Sequence, residues 1–192
     1  MKKKLDTLGD NELFYFLKGG DKTAAEAFDE IYSRHSKRIF MYCRRILNNQ
    51  QQAEDIFQDT FLSFYNNAQK DIVMTNVPAY LLRIARNLCL KSKSKNHQSL
   101  VFIEDLNLSV NENSLEKHEM QNIISSSLNL IPDEWREAVV LQVYDGLSYN
   151  EIAEIMEVPM STVRNWIVRG KKQLREIISP YFNEVPLNNI VN

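Results

Sequence analysis

Apolar residues recur along the chain at the three- and four-residue spacing of a single helix face, in blocks separated by short polar breaks. After Asp21, which suits an N-cap, Ala24, Phe28, Ile31, Ile39, Tyr42, Cys43, Ile46 and Leu47 keep that spacing until Asn48-Asn49 ends the element. From Ala53 the pattern restarts with Ile56, Phe57, Thr60, Phe61 and Phe64, and Asn66-Asn67 stops it. Ala68 to Val77 reads as a polar loop. Pro78, suited to a first helical turn, opens a third helix carrying Tyr80, Leu81, Ile84, Ala85, Leu88 and Cys89. After Leu90 the apolar marks vanish, and Lys91 to Ser99 reads as the start of a linker. Helix resumes near Ser114 with Met120, Ile123, Ile124 and Leu128, and Pro132 starts another that Asp145-Gly146 ends. Ser148 and Glu151, at capping-box spacing, begin the next. Pro159-Met160-Ser161 breaks the chain before a last helix, with Ser161 as its N-cap and Ser179-Pro180 as its end. No segment reads as a strand. The expected fold is all-α: two small helical domains, at 1–97 and 118–192, joined by a flexible linker at 98–117.

Composition supports that reading and narrows the function. Only five Gly and five Pro occur among 192 residues, which favours long helices over a turn-rich sheet. The Met-Lys-Lys-Lys start is followed at once by Asp6, Asp10 and Glu12, so a signal peptide is not expected. No run approaches the roughly 18 apolar residues that span a bilayer, so membrane insertion is not expected. Cys43 and Cys89 sit within apolar helical patterns and read as reduced core residues of a cytoplasmic protein. His35, His97 and His118 are scattered, without metal-ligand spacing, and neither a metal nor a cofactor is expected.

The net charge of −2 conceals a segregation. Between Asp71 and Glu104 no acid occurs, while Arg83, Arg86, Lys91, Lys93 and Lys95 all do. From Met160 to Arg175 the same holds for Arg164, Arg169, Lys171, Lys172 and Arg175. Two basic patches on a near-neutral chain point to two phosphate contacts, unless they are merely solvated faces.

The second patch lies on the sharpest motif. Leu147 to Leu174 spells a capped short helix, a tight turn and a second helix with a basic outer face. Ile152, Ala153, Ile155 and Met156 face Val163, Ile167, Gly170 and Leu174, and small Ala153 and Gly170 permit close approach of the two helices. Arg164, Asn165, Val168, Arg169 and Lys172 point outward, with Arg164 and Arg169 expected on one face. This is a helix-turn-helix, whose second helix enters the major groove. Arg suits guanine edges and Asn suits adenine, whereas Lys172 suits phosphate. Trp166 either packs inward or meets DNA sugar.

Two further faces carry chemistry. Opposite its apolar stripe, the helix from Ala53 presents Glu54, Asp55, Gln58 and Asp59. Such carboxylates serve as a solvated face or as an acid–base or magnesium site, but no phosphate cradle, His or nucleophile accompanies them. In the helix from Pro78, Arg83 and Arg86 alternate with Tyr80, Ile84 and Leu88; basic residues beside an aromatic suit single-stranded DNA. For Tyr80 the alternative is core packing.

Five segments together resemble the extracytoplasmic-function sigma factors. Ala53-Glu-Asp-Ile-Phe-Gln-Asp-Thr-Phe-Leu62 and Ala79-Tyr-Leu-Leu-Arg-Ile-Ala-Arg-Asn87 look like their N-terminal domain. Ile131-Pro-Asp-Glu-Trp-Arg-Glu-Ala-Val-Val-Leu141, Tyr144 to Met156 and Ser161-Thr-Val-Arg164 look like their C-terminal domain. With the flanking helices the resemblance covers about residues 22 to 178. It implies that Asp55, Gln58 and Asp59 dock on the coiled-coil clamp helices of the largest subunit of core RNA polymerase. The loop from Asp71 to Val77 would capture a flipped base of the melted minus-ten element. Asn76, Tyr80, Arg83, Asn87 and Lys91 would contact that DNA, and an anti-sigma factor is an expected partner. Duplex contacts at the minus-thirty-five element would come from Ser148, Ser161, Thr162, Arg164, Asn165, Val168, Arg169 and Lys172. The family usually has Trp where Tyr80 stands, and a glycine in the turn that here reads Met156-Glu-Val-Pro-Met160.

Overall fold

The computed structural model describes residues 5–19, 22–70, 72–96 and 115–182. The chain divides into two compact units, Met1–Phe102 and Ile103–Asn192. Among the described residues the regular structure is helical: α1 (Asp10–Phe16), followed by a 3-10 turn over Leu17–Gly19, then α2 (Lys22–Leu47), α3 (Gln50–Ala68) and α4 (Val77–Asn96) in the first unit. The second holds α5 (Leu115–Asn129), α6 (Asp133–Val143), α7 (Tyr149–Met156) and α8 (Met160–Phe182).

In the first unit α2, α3 and α4 pack pairwise, with α1 laid against α2. Ile31, Ile39, Tyr42 and Cys43 of α2, Ala53 and Phe64 of α3, and Leu81, Leu82, Ala85 and Cys89 of α4 are fully buried. Cys43 and Cys89 form no disulfide. Asn48 ends α2 in the left-handed region, at φ 52°, a conformation that Asn tolerates better than most residues. Asn49 then caps α3, its side chain accepting the Gln52 amide at 2.9 Å. That cap starts α3 a turn before Ala53, where the apolar pattern placed it, because the Gln50-Gln51-Gln52 turn carries no apolar mark. Asp21, read as the cap of α2, lies outside the described residues.

The reading of Lys91 onward as linker is corrected: α4 runs to Asn96. Lysine favours helix, and loss of burial beyond Cys89 marks a helix leaving its core rather than ending. Of the expected linker at 98–117, residues up to 114 lie outside the described residues, and Leu115 opens α5.

Residues 5–19 carried no sequence expectation, yet they fold onto α2. Leu5, Leu13, Phe14 and Leu17 are buried. Arg34 of α2 holds this segment by donating to the carbonyls of Asp6 and Leu8, both at 2.8 Å, and to Asp10 Oδ1 at 2.9 Å. Its Nε donates to Glu30 at 2.8 Å. Desolvation disfavours the guanidinium charge here, but the hydrogen bonds it donates to the Asp10 and Glu30 carboxylates prevail and raise its pKa. The second oxygen of Asp10 meets His35 Nε2 at 2.8 Å.

The second unit is built around α6, where Arg136 through Leu141 are all buried. Arg136 Nη1 donates to Asn129 Oδ1 at 2.7 Å, and Nη2 pairs with Asp133. Burial pushes its pKa down, and nearby Glu137 partly offsets this. The chain leaves α6 through Gly146 at φ 66°, and the Ser148–Glu151 capping box forms as expected. In the following turn Glu157 takes the left-handed conformation, φ 57° and ψ 43°, that glycine usually supplies. The amides of Glu157 and Val158 both donate to the Ala153 carbonyl.

Two boundary expectations for α8 are overturned. The helix begins at Met160, and the Pro159 carbonyl accepts from Thr162 and Val163, so Ser161 lies inside the first turn and is not the N-cap. At the other end α8 continues through Pro180 to Phe182. Pro180 cannot donate to the Glu176 carbonyl, and the Ser179 hydroxyl donates to it instead, at 3.2 Å.

Candidate nucleic-acid and polymerase interfaces

Burial of Val163, Ile167 and Gly170 fixes how α8 is turned. The opposite side leaves Arg164, Asn165, Val168, Arg169 and Lys172 exposed, with Val168 at 58%. A solvated Val among cations on a helix that is otherwise amphipathic is a ready contact for an apolar group such as a base methyl. Ser161 is exposed and Thr162 half-buried at the start of the same helix. Trp166 is half-buried. The expectation that Arg164 and Arg169 share a face is corrected. Five residues turn a helix by about 500°, leaving the two about 140° apart, and Arg169 lies over the Trp135 ring of α6, 5.9 Å from its centroid.

Gly170 is also assigned a different neighbour from the one its sequence context suggested. A Cβ there would stand 2.9 Å from Val139 Cγ2 and 3.3 Å from Trp135 Cβ, so the glycine admits α6 rather than the first helix of the motif. Ser148 is engaged in its cap: the hydroxyl donates to Glu151 Oε2 at 2.7 Å and accepts the Glu151 amide at 3.3 Å.

In the first unit, α3 presents Glu54, Asp55, Gln58 and Asp59 to solvent. The helix is held in that orientation by aromatic packing against α2. Phe28, Tyr32 and Phe40 meet Phe57, Phe61 and Tyr65, with ring centroids as close as 4.9 Å for Tyr32 and Phe61. Leu62, seven residues beyond Asp55 and 60% exposed, extends the acidic stripe with an apolar end that sequence reading missed. Its signal was an apolar residue out of step with Phe57, Phe61 and Phe64.

On α4, Tyr80, Arg83, Asn87 and Lys91 fall at i, i+3, i+7 and i+11, which is one face; the last three are exposed. Tyr80 is half-buried with its ring 6.2 Å from that of Phe64, so the core-packing alternative has a real contact behind it. Asn76 caps the helix, its Oδ1 accepting the Ala79 amide at 3.0 Å. At the head of this face a cleft of about 430 Å³ is lined by Gly9–Glu12 and Thr75–Pro78, bridged where Asn11 Nδ2 donates to the Thr75 carbonyl at 2.9 Å. The wall from residues 9–12 was not foreseen. Asp71 lies outside the described residues, and Val73 in the same loop is exposed.

Among the described residues no group of three or more His, Cys, Asp or Glu is placed to hold a metal ion, and no helix is long and apolar enough to cross a membrane.

Comparison with known proteins places both units. Residues 31–98 match the family described as Sigma-70 region 2, and residues 121–174 match Sigma-70, region 4. The chain is 30% identical over 174 residues to the ECF RNA polymerase sigma factor SigW of Bacillus subtilis, covering 83% of this chain and 91% of that one. It is 30% identical over 174 residues to the ECF sigma factor SigE of Mycolicibacterium smegmatis, where the match covers 86% of this chain but only 66% of the relative. The sigma factor RpoE of Bartonella quintana, solved with the anti-sigma factor NepR, shares the fold at a TM-score of 0.67 and 22% identity, over 79% of this chain and 96% of that one. With both sigma regions matched in order, and a curated relative covered almost end to end, the chain belongs to the extracytoplasmic-function subfamily of sigma-70-type RNA polymerase sigma factors.

Proposed function

We propose a division of labour for this sigma factor in which residues 1–97 bind core polymerase and the minus-ten element, 98–117 link, and 118–192 bind the minus-thirty-five element. The observation that carries it is the placement of three chemically distinct exposed faces on three separate helices. The acidic face of α3, Asp55, Gln58 and Asp59, meets basic side chains of the polymerase clamp helices, giving steering and register. The α4 face, with Asn76 at its head and Tyr80, Arg83, Asn87 and Lys91 along it, holds unpaired bases and their phosphates. The exposed arc of α8, running from Arg164 through Val168, Lys172 and Asn165 to Arg169, with Ser161 and Thr162 at its start, reads duplex; Ser148 acts by capping the helix that supports it.

On this reading the chain catalyses nothing itself and works in the cytoplasm, beside polymerase and chromosome. Melting comes from capturing unstacked bases, and the catalytic chemistry belongs to the polymerase. An anti-sigma partner is part of the proposal, since the Bartonella relative was solved with one.

The test is transcription in vitro with core polymerase and a genomic library. Discrete transcripts from a shared promoter sequence that depend on this chain are expected. Tight duplex binding without polymerase, and no promoter-specific transcript with it, would instead favour a free-standing regulator. Magnesium-dependent nicking by the chain alone would revive a nuclease centred on Glu54, Asp55 and Asp59.

A further inference from the structure

Arg169 is exposed on α8, and an exposed arginine samples many rotamers unless something restricts it. Here something does. Trp135 projects from α6 so that the Arg169 guanidinium carbon lies 5.9 Å from its ring centroid, within the range of a cation–π contact. The contact depends on the approach of the two helices, which Gly170 permits. With no side chain at that position, α8 rides directly on Trp135 and Val139, since any Cβ would meet Trp135 Cβ at 3.3 Å and its carbonyl oxygen at 3.4 Å. The residue beside the glycine is therefore delivered to the indole. Trp135 itself is half-buried, so its indole packs into the unit while remaining within reach of the cation. The fixed ring thus forms a lateral wall for a side chain on the outer face of α8.

We infer that Trp135 is a positioning residue for DNA binding: it holds the Arg169 guanidinium in one direction before DNA arrives, so that less freedom is lost on contact with phosphate or base. The inference rests on the reading of α8 as the duplex-binding helix. It adds to that reading a residue outside the helix-turn-helix whose effect passes entirely through Arg169.

The experiment is a double-mutant cycle on the full chain bound to core polymerase, with a promoter recovered from the library transcription above as the probe. Trp135→Leu is expected to weaken upstream-element binding about three- to fivefold, the worth of an exposed cation–π contact, with Trp135→Phe between it and the parent. In an Arg169→Ala background, Trp135→Leu should change nothing further. Because Trp135→Leu keeps the charge at 169, it should also leave the salt dependence of binding unchanged, whereas Arg169→Ala lowers its slope by about one phosphate contact. If Trp135→Leu does not fold, the same cycle run with Trp135→Phe decides. An equal loss in both backgrounds would make Trp135 a packing residue only and overturn the inference while leaving α8 as the duplex reader. No loss from Arg169→Ala alone would overturn both this inference and the assignment of Arg169 to DNA.

Discussion

Gly170 of α8 stands so near Val139 of α6 that a Cβ on the glycine would lie 2.9 Å from Val139 Cγ2. Mid-helix glycine costs about 1 kcal/mol relative to alanine, and overpacking a tight contact costs about 1–3 kcal/mol. Gly170→Ala should therefore lose on balance, lowering the stability of the second unit by about 0–2 kcal/mol. Gly170→Val has no such offset, because a β-branched side chain gains less helix propensity and meets Val139 and the Trp135 backbone together; a loss of about 2–3 kcal/mol is expected. Thermal denaturation of the two variants separates these outcomes.

Glu157 offers the opposite case. It holds the left-handed conformation at the centre of the helix-turn-helix turn, at about 1–2 kcal/mol for an L-residue with a Cβ. Glu157→Gly should raise stability by about 0.5–1 kcal/mol, part of the relief being lost to the greater entropy of the unfolded chain. Glu157→Val, β-branched in a conformation that disfavours it, should lower stability. A denaturation midpoint that falls for Glu157→Gly would show that the carboxylate's own interactions outweigh the strain.

Arg34 ties residues 5–17 to α2 through two carbonyls and the Asp10 carboxylate. Arg34→Ala should leave those acceptors without their donor and cost about 1–3 kcal/mol. Amide exchange should accelerate in α1 well before it does in the α2–α4 core, because Ile31, Ile39 and Tyr42 do not depend on the tether. Uniform exchange across the unit would mean that α1 is not a separable element.

This clamp also marks the limit of what the chain reveals when read alone. Wherever a helix carries a long apolar stripe, as α2, α3 and α8 do, spacing identifies both the element and its buried face. The Ser148–Glu151 box is equally legible, since both partners lie within one turn. Arg34 is not, because the partners by which it holds residues 5–17 sit 24 to 28 positions away and its one local partner, Glu30, is an i,i+4 pair like that of any surface arginine. Seven-residue α1 is too short to show periodicity. Helix ends fail for a related reason. Pro180 and the polar stretch after Leu90 look like terminators, but a single hydroxyl from Ser179 rescues one and lysine's helix preference extends the other. The exposed faces of α3, α4 and α8 were legible as chemistry; that Arg169 leans on Trp135 required the fold.

The acidic face of α3 should tolerate charge reversal structurally, since Asp55 and Asp59 are both exposed. The double variant Asp55→Lys, Asp59→Lys should keep its circular dichroism and lose core polymerase in a pull-down. Leu62→Ala should weaken the same interaction more modestly: truncation removes about three carbons, and an apolar group newly buried by a partner contributes about 0.8 kcal/mol per methylene. Normal polymerase binding by the folded double variant would remove α3 from the interface.

Arg164 and Lys172 should separate base reading from phosphate contact on α8. Both are exposed, but their chemistry differs: the guanidinium can pair with two acceptors of one base edge, while the ammonium is a point charge on a flexible stem. Lys172 has Glu176 at 4.0 Å one turn on, with both side chains largely solvated, a pair too weak to hold it back from phosphate. Arg164→Ala should cost about 1–3 kcal/mol on the preferred upstream element and much less on a scrambled one. Lys172→Ala should weaken binding to both sequences alike and lower the slope of log K against log salt by about one. Titrating the polymerase-bound chain against both duplexes at several salt concentrations measures all four quantities together. Equal losses on the two sequences for Arg164→Ala would assign Arg164 to the phosphate backbone and leave Asn165 and Val168 as the base-reading positions of the helix.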